Sequence, residues 1–129
     1  MSVIDLNLSN IKETIEKNEM VFIDFWAPWC GPCQRFGPVF EGIAAKNPDL
    51  KFAKINTDDQ AELAGQFGVM SIPTLGIFKD KELIFLQPGA LPEEVLEEII
   101  QKVRDVNMDE VRAQVAADNA TATVGDEES

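Results

Sequence analysis

Cys30 and Cys33 are the only cysteines among 129 residues, and Gly31 and Pro32 stand between them. Two thiols at this spacing can close and open a disulfide, or they can supply half of a four-ligand zinc site. The zinc alternative needs two more Cys or His ligands, and the chain has no histidine and no third cysteine. Structural zinc would therefore need a second chain. The same lack of imidazole removes Ser-His or Cys-His nucleophile activation within this chain. A small secreted scaffold spreads several cysteines through its sequence, whereas one close pair reads as a reactive centre.

The neighbouring residues favour the redox chemistry. Met20-Val21-Phe22-Ile23-Asp24-Phe25-Trp26 is nearly continuous in apolar side chains, as in a strand covered on both faces. From Cys30 to Lys46 the apolar residues Phe36, Val39, Phe40, Ile43 and Ala44 form a helical stripe, in which Pro38 is expected to cause a kink. Cys30 then lies at a helix N-terminus, where unpaired N–H groups and the helix dipole stabilise a thiolate and make it the exposed nucleophile. Cys33 follows one turn later on the same face and can resolve the bond. Pro32 stiffens the first turn, and Gly31 leaves the approach to the sulfurs open. Asp24 interrupts a run of large apolar residues, so burial should raise its pKa and make it a proton carrier.

The elements around this centre read as an α/β sandwich with a mixed sheet. Val3, Ile4 and Leu6 suggest an edge strand, followed by a helix carrying Ile11 and Ile15. A strand is expected over 50–56, a short helix over 61–67, and strands over 74–79 and 82–87 joined by Asp80-Lys81. A last helix should run from about Pro92 to Val106, with Glu93 and Glu94 complementing its positive end. One domain over 1–106 is expected, followed over 107–129 by an acidic tail, partly helical or disordered. Within that tail Val111 and Val115 could extend the last helix or dock on the domain.

A net charge of −12 opposes binding to phosphate backbones, so no nucleic-acid partner is expected. With no basic start leading into an apolar run and no stretch near 20 apolar residues, the chain reads as soluble and cytoplasmic, without membrane association.

Trp26-Ala27-Pro28-Trp29-Cys30-Gly31-Pro32-Cys33 resembles the active-site motif of the thioredoxin family, and Ser71-Ile72-Pro73-Thr74 resembles that family's cis-proline loop. The likeness runs over roughly residues 3–104 and includes Asp24, Lys54, Pro38 and Gly89. It implies a central five-strand mixed sheet flanked by four helices, and reduction of disulfide-bearing proteins, with recycling by a separate thioredoxin reductase. It implies that Asp24 lies beneath Cys33 and accepts its proton, and that Lys54 modulates the pKa of Asp24. A cis bond between Ile72 and Pro73 would expose backbone for an extended substrate segment, with Trp29, Ile72, Pro88, Gly89 and Ala90 lining the docking surface. No cofactor is implied, and a monomer is the expected state. Trp26 reads as packing against the active-site helix.

Three positions depart from the family's common pattern. Gly76 stands in a strand position usually filled by a bulky residue, where it would weaken the sheet or admit a neighbour. Asp80-Lys81 lacks the usual turn glycine, and Pro88 removes a backbone donor beside Gly89. Two rival functions are a disulfide oxidase or isomerase, opposed by the Gly31-Pro32 pair, and a docking subunit that works through the acidic tail.

Overall fold

A computed structural model describes residues 3–128, with side chains through residue 118; Met1, Ser2 and Ser129 lie outside it, as do the side chains of the tail's acidic end. The elements are β1 (Val3–Asp5), α1 (Ile11–Lys17), β2 (Met20–Trp26), α2 (Gly31–Lys46), β3 (Lys51–Asn56), α3 (Ala61–Gln66), β4 (Thr74–Lys79), β5 (Glu82–Pro88), α4 (Glu93–Arg104) and α5 (Met108–Glu128). The sheet order is β1-β3-β2-β4-β5. The first three strands in that order are parallel, and β4 and β5 are antiparallel to their neighbours. Among the described residues no helix is long and apolar enough to cross a membrane.

The apolar run of β2 is buried from Met20 to Phe25, because it is the middle strand and both of its faces are covered. Alternate side chains feed two cores. Phe22 joins Phe36, Phe40, Phe52, Leu96 and Ile100 beneath α2 and α4. Val21, Ile23 and Phe25 join Ile11, Ile55 and Leu63 beneath α1 and α3. Asp24 therefore points to the α2 side, the side on which Cys33 is carried. Helix α2 continues through Pro38, although that residue has no N–H to give to the Gln34 carbonyl.

Lys79 ends β4 in the interior. Its ammonium donates to the carbonyls of Val103, Arg104 and Val106 at 2.7, 3.1 and 3.0 Å. These carbonyls lie in the last turn of α4 and just past it, where backbone acceptors outnumber helical donors, so one buried ammonium helps satisfy the helix end and is satisfied by it. The contact fixes α4 to the sheet. Beyond it, the Asn107 side chain accepts from the N–H groups of Asp109 and Glu110 and starts α5. Met108 is buried, and Arg112 approaches Asp80 at 3.6 Å, so the first turns of α5 rest on the domain. Val111 and Val115 are half-buried.

Both unusual positions in the hairpin have a local explanation. A Cβ added to Gly76 would sit 3.1 Å from Phe25 Cε2, so the glycine makes room for that ring. Asp80 and Lys81 have φ of 49° and 71°, the left-handed pair that a two-residue type I′ turn requires. Aspartate tolerates that region, but lysine loses energy there. Lys81→Gly is expected to stabilise the fold by about 0.5–1 kcal/mol. A urea midpoint that stayed put or fell would contradict this account of the turn.

Candidate active site

Cys30 is the N-cap of α2, with φ −87° and ψ 112°, and Pro32 follows in the first turn. This extended-to-helical corner places the N–H of Cys33 against Cys30 Sγ at 3.2 Å. The two sulfurs are bonded to each other, with a Cα–Cα separation of 5.2 Å. A helix N-terminus aimed at one sulfur is an arrangement that stabilises negative charge on it. The other sulfur has no such place, since Cys33 is already inside the helix.

The two cysteines are equally buried, at 4% residue exposure each. This corrects the expectation of an exposed Cys30. Ala27, Trp26 and Ile72 pack around the pair and cover Cys30 as fully as Cys33. The cap position, not residue exposure, separates their chemistry.

Asp24 is paired in register with Lys54 on β3, so in this parallel ladder the two side chains leave the same face of the sheet. Burial raises the Asp24 pKa from 3.8 to about 7, against a lowering by Lys54, while Glu41 adds to the rise. Asp24 Oδ1 has no hydrogen-bond partner among the described residues, which further favours the neutral acid. Asp24, Cys33, Glu41 and Lys54 all line one cavity of about 260 Å³. Lys54 also lies over the Trp26 ring, 5.3 Å from its centroid, and 3.9 Å from Asp5. Because the Lys54 effect on Asp24 exceeds that of Glu41, Lys54→Gln should move the Asp24 pKa further up than Glu41→Gln moves it down. Carbon-detected NMR titration of the Asp24 carboxyl measures both. A downward movement in Lys54→Gln would contradict the assignment.

The Ile72-Pro73 peptide is cis. Pro73 is buried, and its carbonyl accepts from the N–H of Gly89 at 2.8 Å. That bond holds the exposed loop of Pro88, Gly89 and Ala90 beside the proline. Gly89 has φ 109°, a conformation open to glycine and strained for other residues. On the other side Ile72 packs against the cluster of Ala27, Cys30 and Cys33, so the cis-proline loop adjoins the redox pair.

A protein-family model described as Thioredoxin matches residues 2–102. The chain belongs to the thioredoxin family. A relative from Streptomyces coelicolor is 51% identical over 121 residues, covering 94% of this chain and 90% of its own. The thioredoxin of Porphyra purpurea is 42% identical over 104 residues, covering 79% of this chain and 97% of its own. Among solved structures, a mutant thioredoxin from Halobacterium salinarum superposes with a TM-score of 0.73 at 34% identity, covering 78% of this chain and 88% of that one. The chain is thus a thiol-disulfide oxidoreductase that reduces protein disulfides through its Cys-x-x-Cys pair.

In this member of the thioredoxin family the fold brings together Cys30, Cys33 and Ile72 directly, and Asp24 and Lys54 through the shared cavity. Gly31 and Pro32 are exposed on the first turn of α2. Trp29 and Ile72 line a groove of about 350 Å³ with Val69 and Met70. Two residues of the site went unread in the sequence. Asp58 accepts from Trp29 Nε1 at 3.1 Å and fixes the indole, and nothing marks an aspartate 29 positions away as its partner. Glu41 lies two turns along α2 from Cys33, a spacing that does place it on the same side of that helix.

Proposed function

We propose that Cys30, as thiolate, attacks a substrate disulfide and forms a mixed disulfide, releasing one substrate thiolate. Cys33 then loses its proton to Asp24 and attacks Cys30 Sγ, which expels the second substrate thiolate and leaves the Cys30–Cys33 disulfide. The observation that carries this order is the Cys33 N–H set against Cys30 Sγ at the mouth of α2. The proton step follows from matched acidities. An ordinary carboxylate is several orders of magnitude too weak a base for a thiol of pKa about 8.5, whereas one at about 7 lies within about 1.5 of it. The cavity shared by Asp24 and Cys33 supports the transfer, and Lys54 keeps Asp24 from rising further.

The substrate segment lies extended beside Ile72 and Pro73, flanked by Trp29 on one side and Pro88, Gly89 and Ala90 on the other, with Gly31 and Pro32 keeping the approach clear. Pairing to exposed backbone makes binding tolerant of sequence, as a general reductase requires. A thioredoxin reductase returns the protein to its dithiol form. A monomer in a reducing cytoplasm suits this cycle, in which the thiols must be regenerated after each turnover. The test is coupled turnover: with NADPH, a flavin-dependent thioredoxin reductase and a protein disulfide, NADPH oxidation should depend on this chain. Reduction that proceeds at the same rate without the chain would refute the cycle.

A further inference from the structure

The groove beside the redox pair ends in a side chain that folding does not explain. Met70 is 97% exposed and Trp29 is 70% exposed, and the two share a groove with Ile72, which packs against the cluster that holds Cys30 and Cys33. Large apolar side chains left together in water mark a surface that a partner covers. Methionine fits that use because its unbranched, polarisable thioether adapts to varied partners. The other described methionines, Met20 and Met108, are 9% and 6% exposed and belong to the interior.

We propose that Met70 is a modification site at which oxidation to the sulfoxide lowers the affinity of the groove for protein substrates. The inference rests on reading the groove as the docking surface for the substrate segment. In the reaction the Met70 sulfur attacks one oxygen of a peroxide, the O–O bond breaks, an S–O bond forms and water leaves. The thioether is oxidised by two electrons and the peroxide is reduced. The product is a polar, chiral side chain whose oxygen must be desolvated when an apolar segment closes over Trp29 and Ile72. In the disulfide form Cys30 and Cys33 offer peroxide no thiolate, and the sulfoxide is enzymatically reversible. Peroxide would in this way lower the reductase's hold on large substrates without destroying its redox centre.

The experiment treats the disulfide form with hydrogen peroxide, so that the thiols are protected, and maps added oxygen by peptide mass spectrometry. Met70 should be oxidised well before Met20 and Met108. After reduction, the KM for a protein disulfide should rise about threefold or more with kcat unchanged, while reduction of a small aromatic disulfide stays constant. Met70→Leu should show no peroxide-induced change, and Met70→Gln should reproduce the raised KM without peroxide. Oxidation of Met20 or Met108 as fast as Met70 overturns the proposal, and so does an unchanged KM in fully Met70-oxidised protein. Equal loss toward protein and small disulfides also overturns it, because the damage would then lie at the sulfurs. Turnover by the untreated protein tests the reductase reading separately.

Discussion

Cys30→Ser is expected to lower turnover of a protein disulfide by at least about a thousandfold, because a serine hydroxyl at this position is not ionised and cannot open a sulfur–sulfur bond. Cys33→Ser should lose multiple turnover as well, yet keep a single, stoichiometric first step. The asymmetry follows from the corner at the start of α2, where the Cys33 N–H serves Cys30 Sγ and, among the described residues, no equivalent donor is set against Cys33. Rapid-quench kinetics with a fluorescent protein disulfide separates the two phases. Equal first-phase amplitudes in the two variants would remove the distinction between attacker and resolver.

Asp24→Asn should change both stability and rate, in opposite directions. In the folded protein the Asp24 pKa is about 7, above the 3.8 it takes once solvated, so the native state holds an extra proton across that interval. Stability contributed by this site therefore falls as pH rises from about 4 to about 7, and the full penalty for the buried charge applies above that range. The shift corresponds to about 4 kcal/mol. Asn carries no charge, so the variant should exceed the wild type by up to about 4 kcal/mol at pH 8 and by little near pH 4. Urea unfolding of the oxidised proteins at several pH values measures the difference directly. Release of substrate from the mixed disulfide should meanwhile slow by about tenfold or more in the variant, as expected when a general base is removed. A stability difference that does not grow with pH would mean that Asp24 is not the group titrating near neutrality.

Much of this was legible in the residues themselves. The apolar run of β2 could only be a central strand, and it proved to be the third of five. The helical stripe from Phe36 to Ala44 defined α2 and put Cys30 at its start, because burial on one side of a helix leaves a periodic record. Asp24 stood out as a carboxylate among large apolar neighbours, and its raised pKa follows from that setting. The link between Cys30 and Pro73, far apart in the chain, carries no periodic signal and was visible only through resemblance to the thioredoxin family.

Other features arise from tertiary packing that no local pattern encodes. Lys79 ends a strand, and nothing local to it shows that its ammonium closes the carbonyl end of α4. Met70 follows Val69 in the chain, and yet its apolar side chain is almost wholly in water. Cys30 reads as an open cap residue, but Ala27, Trp26 and Ile72 close over it. Each depends on which segments meet in space, and a single sequence records that only indirectly.

The most direct test of the central claim is to mix reduced Cys33→Ser with a protein disulfide, quench in acid and map the covalent adduct by mass spectrometry. The structure predicts one substrate chain joined to Cys30 by a disulfide, formed at close to the wild-type rate of first attack. Absence of that adduct, while the wild type turns the same substrate over, would contradict the assignment of Cys30 as the attacking thiolate.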